Sequence, residues 1–323
     1  MRIFRMTLSF VALLGGVACK GASEPEGPKL THPTGDRIAS LPLTGRPHGV
    51  AVAANGTFYV SQIDADRITR GAVTDSMQVF AGTVTVGSMP AHVALDPRAG
   101  AAYTTNQFGN SVSVVDAVAN SLAGTIPLSS GGFNLLVSPD GSRVWATTAG
   151  GTLHVIDAAA RQLVGSVSVG AAANGLAYDV RSKTLYVSSI SSATITAIDA
   201  VGNGVKRTYP VGEMPQRLAL SPDGAELYIA SEAHGLQVLT LATGVVANVS
   251  VVPPGAVGLA LSPDGVHLYI TNPPAGQVYV VDRATRHLVR VHGGMVRPRN
   301  VAFNAEGTTA IVTDEGNLVH FIR

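Results

Sequence analysis

Seven times this chain follows a short apolar strand and a polar turn with a second strand that carries an aromatic near its centre, and the interval hardly changes. One residue of each first strand serves as a marker: Val52, Leu95, Val137, Tyr178, Leu220, Leu261 and Phe303, spaced 43, 42, 41, 42, 41 and 42 residues apart. A repeat of about 40 residues built only of short strands predicts a β-propeller, because a four-stranded sheet cannot bury both faces alone and must stack on its neighbours. The expected fold is all-β, a seven-bladed β-propeller of four-stranded antiparallel blades.

Each first strand runs into a turn such as Ser221-Pro222-Asp223-Gly224. Proline fixes one φ and glycine supplies the positive φ that turns the chain back. Pro-Asp-Gly here, at Pro139 to Gly141 and at Pro263 to Gly265 therefore marks a hairpin. The second strand sets Tyr103, Trp145, Tyr186, Tyr228, Tyr269 and Ile311 eight residues after each marker, with Tyr59 seven after the first. Five of the eight tyrosines and the only tryptophan share this register. A register repeated around a ring looks into equivalent blade interfaces, so these aromatics are expected to be interior packing rather than a ligand platform.

Asp116, Asp157, Asp199 and Asp282 end third strands, where a carboxylate caps the next turn. Thr85, Pro127, Ser168, Pro210 and Val251 each lie ten residues before the next marker, on a fourth strand that tolerates proline and is therefore outermost. The seventh repeat stops after its third strand, Leu318 to Ile322. Pro42, in Leu41-Pro42-Leu43, also lies ten residues before its marker. This phase predicts that the N-terminal strand completes the last blade, closing a ring over 36–323 and protecting its edges.

The second strands Tyr59-Val60-Ser61-Gln62, Tyr103-Thr104-Thr105-Asn106, Tyr186-Val187-Ser188-Ser189 and Tyr269-Ile270-Thr271-Asn272 resemble the motif that names the YVTN-repeat β-propellers. Trp145-Ala146-Thr147-Thr148 and Ile311-Val312-Thr313-Asp314 are degenerate copies. The resemblance covers nearly all of 36–323. It implies a bacterial or archaeal propeller from a family that is often exported and is defined by fold more than by chemistry.

The first 35 residues follow other rules. Arg2 and Arg5 precede an uncharged stretch of 13 residues, Met6 to Ala18. A membrane span needs about 20 apolar residues, so 1–18 is expected to be an export signal. Cys19 is the only cysteine, which excludes an internal disulfide. Gly16-Val17-Ala18-Cys19 resembles the lipobox of bacterial lipoproteins, and the resemblance implies acylation of Cys19. Residues 19–35, rich in Gly, Pro, Ser, Thr and charge, are expected to be a flexible tether with a span of roughly 20–25 Å. Lys20 resembles the sorting pattern for the outer membrane, so the expected location is the cell envelope, anchored to membrane lipid.

Without Arg2 and Arg5, 20 Lys and Arg face 21 Asp and Glu, a charge of −1. Such neutrality lacks the basic face that nucleic acid requires, and no nucleic-acid partner is expected. The sequence has no His-Glu-x-x-His, Gly-x-Ser-x-Gly, phosphate loop, EF-hand loop or Cys-x-x-Cys-His. No cofactor is expected, and a quinone site is disfavoured because Trp145 stands alone.

Chemistry is expected instead at the channel mouth, where first strands begin and second strands end on one face. His48, His92, Asn134, Asn174, Gln216, Arg299 and Asn300 at strand starts, and Asn106 and Asn272 at strand ends, are the ligand-binding candidates. They stand with Gln62, Glu232, His234, Asp314 and Glu315. His48 and His92 are candidate metal ligands.

Two functions compete. One is a binding or scaffold module that holds a protein, a polymer or a small polar ligand on a propeller face. The other is a hydrolase. Arg217 with Glu232, Arg299 with Asp314, and Pro298-Arg299-Asn300-Val301-Ala302-Phe303 resemble the seven-bladed 6-phosphogluconolactonase type, which implies water activation by an acid or histidine and an arginine on an anionic substrate. The export signal weighs against it, because phosphorylated sugars are cytoplasmic.

Overall fold

A computed structural model describes residues 35–74, 78–98 and 100–323. The expected signal 1–18, the acylation site Cys19 and all of the tether except Gly35 lie outside the described residues. Among those described, 28 strands form seven four-stranded antiparallel sheets arranged as a seven-bladed propeller. Six blades are consecutive in sequence. The seventh takes Pro298–Phe303, Ala310–Asp314 and Leu318–Ile322 and adds Arg37–Pro42 as its outer strand, with Leu41 opposite Val319.

The turns form as their residues require. Gly141, Gly224 and Gly265 hold φ of 67°, 69° and 73°. In the same turns Ser138, Ser221 and Ser262 donate to Asp140, Asp223 and Asp264 at 2.5–2.6 Å. Asp116 and Asp157 each accept two backbone N–H groups, and Asp199 and Asp282 one each, at the ends of third strands. Thr85, Pro127, Ser168, Pro210 and Pro42 all end exposed outer strands.

Val251 does not. The outer strand of blade five stops at Val249, and the first strand of blade six is only Leu259–Leu261. Pro253 and Pro254 between them offer no N–H to a ladder. Their carbonyls are held instead by the Asn272 side chain at 3.2 and 3.0 Å.

Apolar side chains gather in seven clusters, each shared by two adjacent blades. The repeated aromatics sit in them. Trp145 of blade three packs with Leu176, Leu185 and Val187 of blade four. Tyr269 meets Phe303 of blade seven edge-on, with ring centroids 4.9 Å apart.

A second link between blades is polar and lies closer to the channel. The hydroxyl two residues after the repeated aromatic accepts an N–H from its own first strand and reaches the next blade. Ser61, Thr105, Thr147, Ser188, Thr271 and Thr313 accept from Gly49, His92, Asn134, Gly175, Gly258 and Asn300. They donate to the carbonyls of Ala91, Phe133, Asn174, Gln216, Arg299 and His48. The last of these joins blade seven to blade one. Blade five alone has no hydroxyl there, because the position is Ala230.

Thr313→Val keeps the β-branched shape but strands the buried Asn300 N–H and leaves the His48 carbonyl only its bond from the Asn300 side chain. It should lower stability in urea by about 1–3 kcal/mol, whereas Ala230→Ser, which supplies the missing hydroxyl, should raise it by about 1 kcal/mol. A neutral Thr313→Val would show that the hydroxyls merely fill space.

Candidate functional site

In six blades the register between first and second strands slips at the same place, as at Pro47/Val50, Pro90/His92 and Pro298/Asn300. Such bulges re-aim side chains and free backbone groups, and in five of the six the hydroxyl takes the N–H released here, blade five having Ala230 instead. The residue four before each marker lines the channel mouth in every blade, including blade six, whose strand pair shows no such slip: His48, Ala91, Phe133, Asn174, Gln216, Val257 and Arg299.

A second tier comes from the residue four after the repeated aromatic, namely Ile63, Gln107, Ile190, Glu232 and Glu315. The N–H of each bonds the carbonyl of Arg46, Met89, Ala172, Met214 or Arg297 at 2.8–3.2 Å. Arg46 and Met89 themselves adopt left-handed φ of 55° and 58° and complete the rim. Together the tiers enclose a cavity of about 270 Å³.

Its charged wall is organised around Glu315, whose side chain is 3% exposed. His48 Nδ1 lies 3.0 Å from one oxygen, and Arg46, Arg297 and Arg299 each approach the carboxylate at 3.3 Å. Burial alone would raise this carboxyl, but the His48 hydrogen bond and the charges of Arg299 and Arg46 hold it down at about 2. Burial pushes His48 down to about 4, against Glu315 and with help from Arg299 and Arg217. The imidazole is therefore neutral at pH 7. Its Nδ1–H donates to Glu315, and Nε2 keeps an open lone pair.

Arg217 crosses the channel. Its Nη2 donates to His92 Nδ1 of blade two and its Nε to Asn300 Oδ1 of blade seven, both at 3.2 Å. Asn300 in turn donates to the His48 carbonyl at 2.7 Å. Blade six, which lies between, has Gly258 at the equivalent position and puts no side chain in the way. Arg217 Nη1 is buried without a hydrogen-bond partner. Burial, and then Arg299, press the guanidinium down to about 9. Burial, and then Arg217, hold His92 well below its ordinary value. On the same wall Asn174 donates to Gln216, which donates to Glu232.

His48, Asn174, Gln216, Arg217, Glu232, Arg299 and Asn300 thus come together as expected. Others do not. Asn106, Asn272 and Asp314 occupy the register one residue earlier, which faces into the blade and fastens the loop ahead of its first strand. Asn272 holds the Pro253 and Pro254 carbonyls. Asn106, with its oxygen toward Ser111 and Ser113, donates to the Gly87 carbonyl.

Asp314 accepts the N–H groups of Val296, Arg297 and Gly316 and meets His320 Nε2 at 3.1 Å, bonds that pull its carboxyl well below the usual range against its burial. It cannot pair with Arg299 as a catalytic acid at the mouth. Gln62 donates to the Thr44 carbonyl in the same way, while the His234 N–H bonds Ser231 Oγ.

His92 meets the site through Arg217, and Asn134 is buried, bonding the Leu135 N–H. His48 and His92 each commit one ring nitrogen, to Glu315 and Arg217. Among the described residues no group of three or more His, Cys, Asp or Glu is placed to hold an ion. The apolar wall of Ile63, Met89, Ala91, Phe133 and Ile190 is an addition to the expected site. Its signal lies in register rather than polarity.

Fold and site define a seven-bladed β-propeller with a charged, ligand-sized mouth. No protein-family model matches the chain. The uncharacterized protein YncE of Salmonella typhi and that of Salmonella typhimurium are each 26% identical over 187 residues, 56% of this chain and 52% of theirs. The chain therefore spans about half the length of the curated relatives it matches. Among solved structures, a chain of Kuenenia stuttgartiensis hydrazine synthase superposes with a TM-score of 0.77 at 19% identity, over 88% of this chain and 97% of that one. That likeness is one of fold.

His48 and Glu315 are two of the depressed groups that make stability depend on pH. The unfolded chain binds their protons first, so the His48 contribution is complete above about pH 6.5 and is lost as pH falls toward 4. The Glu315 contribution is complete above 4.5 and lost toward 2. His48→Gln should make the loss of stability in urea between pH 7.5 and 4 smaller by about 3 kcal/mol, the rest of the loss coming from other buried histidines such as His92 and His292. Parallel profiles for the two proteins would contradict the neutral, buried His48.

Proposed function

We propose that this chain is an exported, lipid-anchored β-propeller that acts as a binding module at the cell envelope and takes its ligand at the channel mouth. The observation that carries the binding reading is Arg217, a buried guanidinium with an unpartnered Nη1. It lines a cavity that no single blade builds. Ligand sites are concave, largely pre-formed and equipped with a few convergent polar groups, and this one has those attributes. The envelope location rests on Arg2, Arg5, the apolar stretch to Ala18 and Cys19. Among the described residues no helix is long and apolar enough to cross a membrane.

Hydrolysis is the weaker reading. His48, at about 4, is too poor a base to activate water efficiently near neutral pH. Asp314 is consumed by backbone bonds, and Glu232 accepts from Gln216.

Two measurements test the proposal. The intact mass of the mature protein from its native membrane should include acyl chains and begin at Cys19, and a mass without them would remove the anchor. A photo-cross-linking residue at Gln107, on the rim, should capture an envelope component, and Arg217→Gln should abolish that capture. Capture of nothing but lipid, or lactone hydrolysis lost on Glu232→Gln, would reverse the order of the two readings.

A further inference from the structure

The cavity has two unlike walls. Blades one to four supply Ile63, Met89, Phe133 and Ile190, while Arg217, Glu232, Arg299 and Glu315 face them from blades five and seven, with Arg46 at the rim. Three arginines stand against two glutamates in this lining, and His48 is neutral, so the cavity carries one net positive charge. Glu315 is already engaged by His48 and by arginines on three sides. Arg217 is not neutralised: it forms no ion pair among the described residues, and its Nη1 is unsatisfied. Arg299 approaches Glu315 through Nε, and its Nη nitrogens form no hydrogen bond among the described residues.

A buried charge without a counter-charge is unfavourable, and a planar anion that accepts paired N–H donors relieves it best. One net positive charge suits a monoanion, whereas a dianion would be repelled by Glu232 and Glu315. Apart from the neutral His48 and from Asn174, which bonds Gln216, blades one to four offer only Gln107 as a polar partner, and the rest of their lining favours an apolar body. At about 270 Å³ the cavity falls just below the roughly 300–1,000 Å³ of sites for drug-sized ligands.

We propose that the channel mouth is a receptor for a small organic monocarboxylate, its carboxylate on Arg217 and Arg299 and its apolar body against Phe133 and Ile190. This rests on the reading of the propeller as a binding module with its site at the mouth.

Calorimetry with the purified chain separates the possibilities, using phenylacetate, phenylacetamide, acetate and inorganic phosphate as probes. Phenylacetate should bind, and phenylacetamide should bind at least about tenfold more weakly, since it loses the charge-assisted pair. Arg217→Gln and Arg299→Gln should each weaken phenylacetate by a similar factor, with urea midpoints reported to show that the variants fold. Phe133→Ala should weaken phenylacetate severalfold and leave acetate unchanged. A peptide ending in phenylalanine that outcompetes phenylacetate, while its C-terminal amide does not, would assign the carboxylate to a chain end.

Phosphate binding tighter than phenylacetate, or equal binding of phenylacetamide, overturns the proposal. If all four probes fail while cross-linking at Gln107 still captures a component, the ligand class is wrong and the binding module stands. If that capture also fails, both fall.

Discussion

A hydroxyl repeated in six of the seven blades governs how those blades meet their neighbours. Placed two residues after the repeated aromatic, it takes an N–H that the first strand's bulge has released and passes a hydrogen bond to a carbonyl of the next blade. Where it is present it pairs that donor, as buried donors in natural structures nearly always are, while blade five keeps the bulge with Ala230 in its place. In the blades that have both, the bulge and its hydroxyl go together with a residue four before the marker that lines the channel. Apolar clusters supply most of the attraction between blades, but they would accept small sliding motions. The hydroxyl fixes the phase of one blade against the next, and so fixes the ring of side chains around the mouth.

The scaffold repeats, and the site is made of its exceptions. Three blades carry glycine three residues before the marker, at Gly49, Gly175 and Gly258, whereas blade five carries Arg217 there. A Cβ on Gly258 would lie 2.3 Å from the Arg299 carbonyl oxygen, so blade six must yield its place in the channel. Arg217 exploits that opening to reach Asn300 in blade seven, and it spans the channel to His92 in blade two. The same asymmetry separates charge from apolar surface around the rim. Symmetry in the backbone and dissymmetry in one register together give a pocket with a defined polarity.

The fold is almost wholly legible in the sequence because its determinants are periodic. The interval of 41 to 43 residues gives the blades, Pro-Asp-Gly gives the hairpins, and the phase of Pro42 gives the closing strand. The site is legible only in part. Polarity selects His48, Asn174, Gln216, Arg217, Glu232, Arg299 and Asn300, which the structure brings to the mouth, but it also selects Asn106, Asn272 and Asp314, one residue short of it. A shift of one residue in a strand moves a side chain to the other face. Nothing in the composition distinguishes Asp314 from Glu315, which differ chiefly in direction. Ala91, Phe133 and Ile190 escape because they are apolar, although they occupy the same registers as His48 and Glu232. Val251 fails for a local reason: the chain turns after Val249, where the Val252 N–H bonds the Val249 carbonyl, and Pro253 and Pro254 beyond it offer no N–H to resume the ladder.

The outer strand of blade seven pairs Arg37 with Ile322, partners separated by 285 residues. Contacts of that span are the slowest to form, because the whole intervening chain must already be compact. The strand that leaves the ribosome first therefore waits for the one that leaves last. Until they meet, blade seven lacks its outer strand and shows an open edge, the kind of surface that invites wrong pairing. The residues of that waiting strand, Arg37-Ile38-Ala39-Ser40-Leu41-Pro42, combine a charge at one end and a proline at the other, two devices that discourage such pairing during the delay.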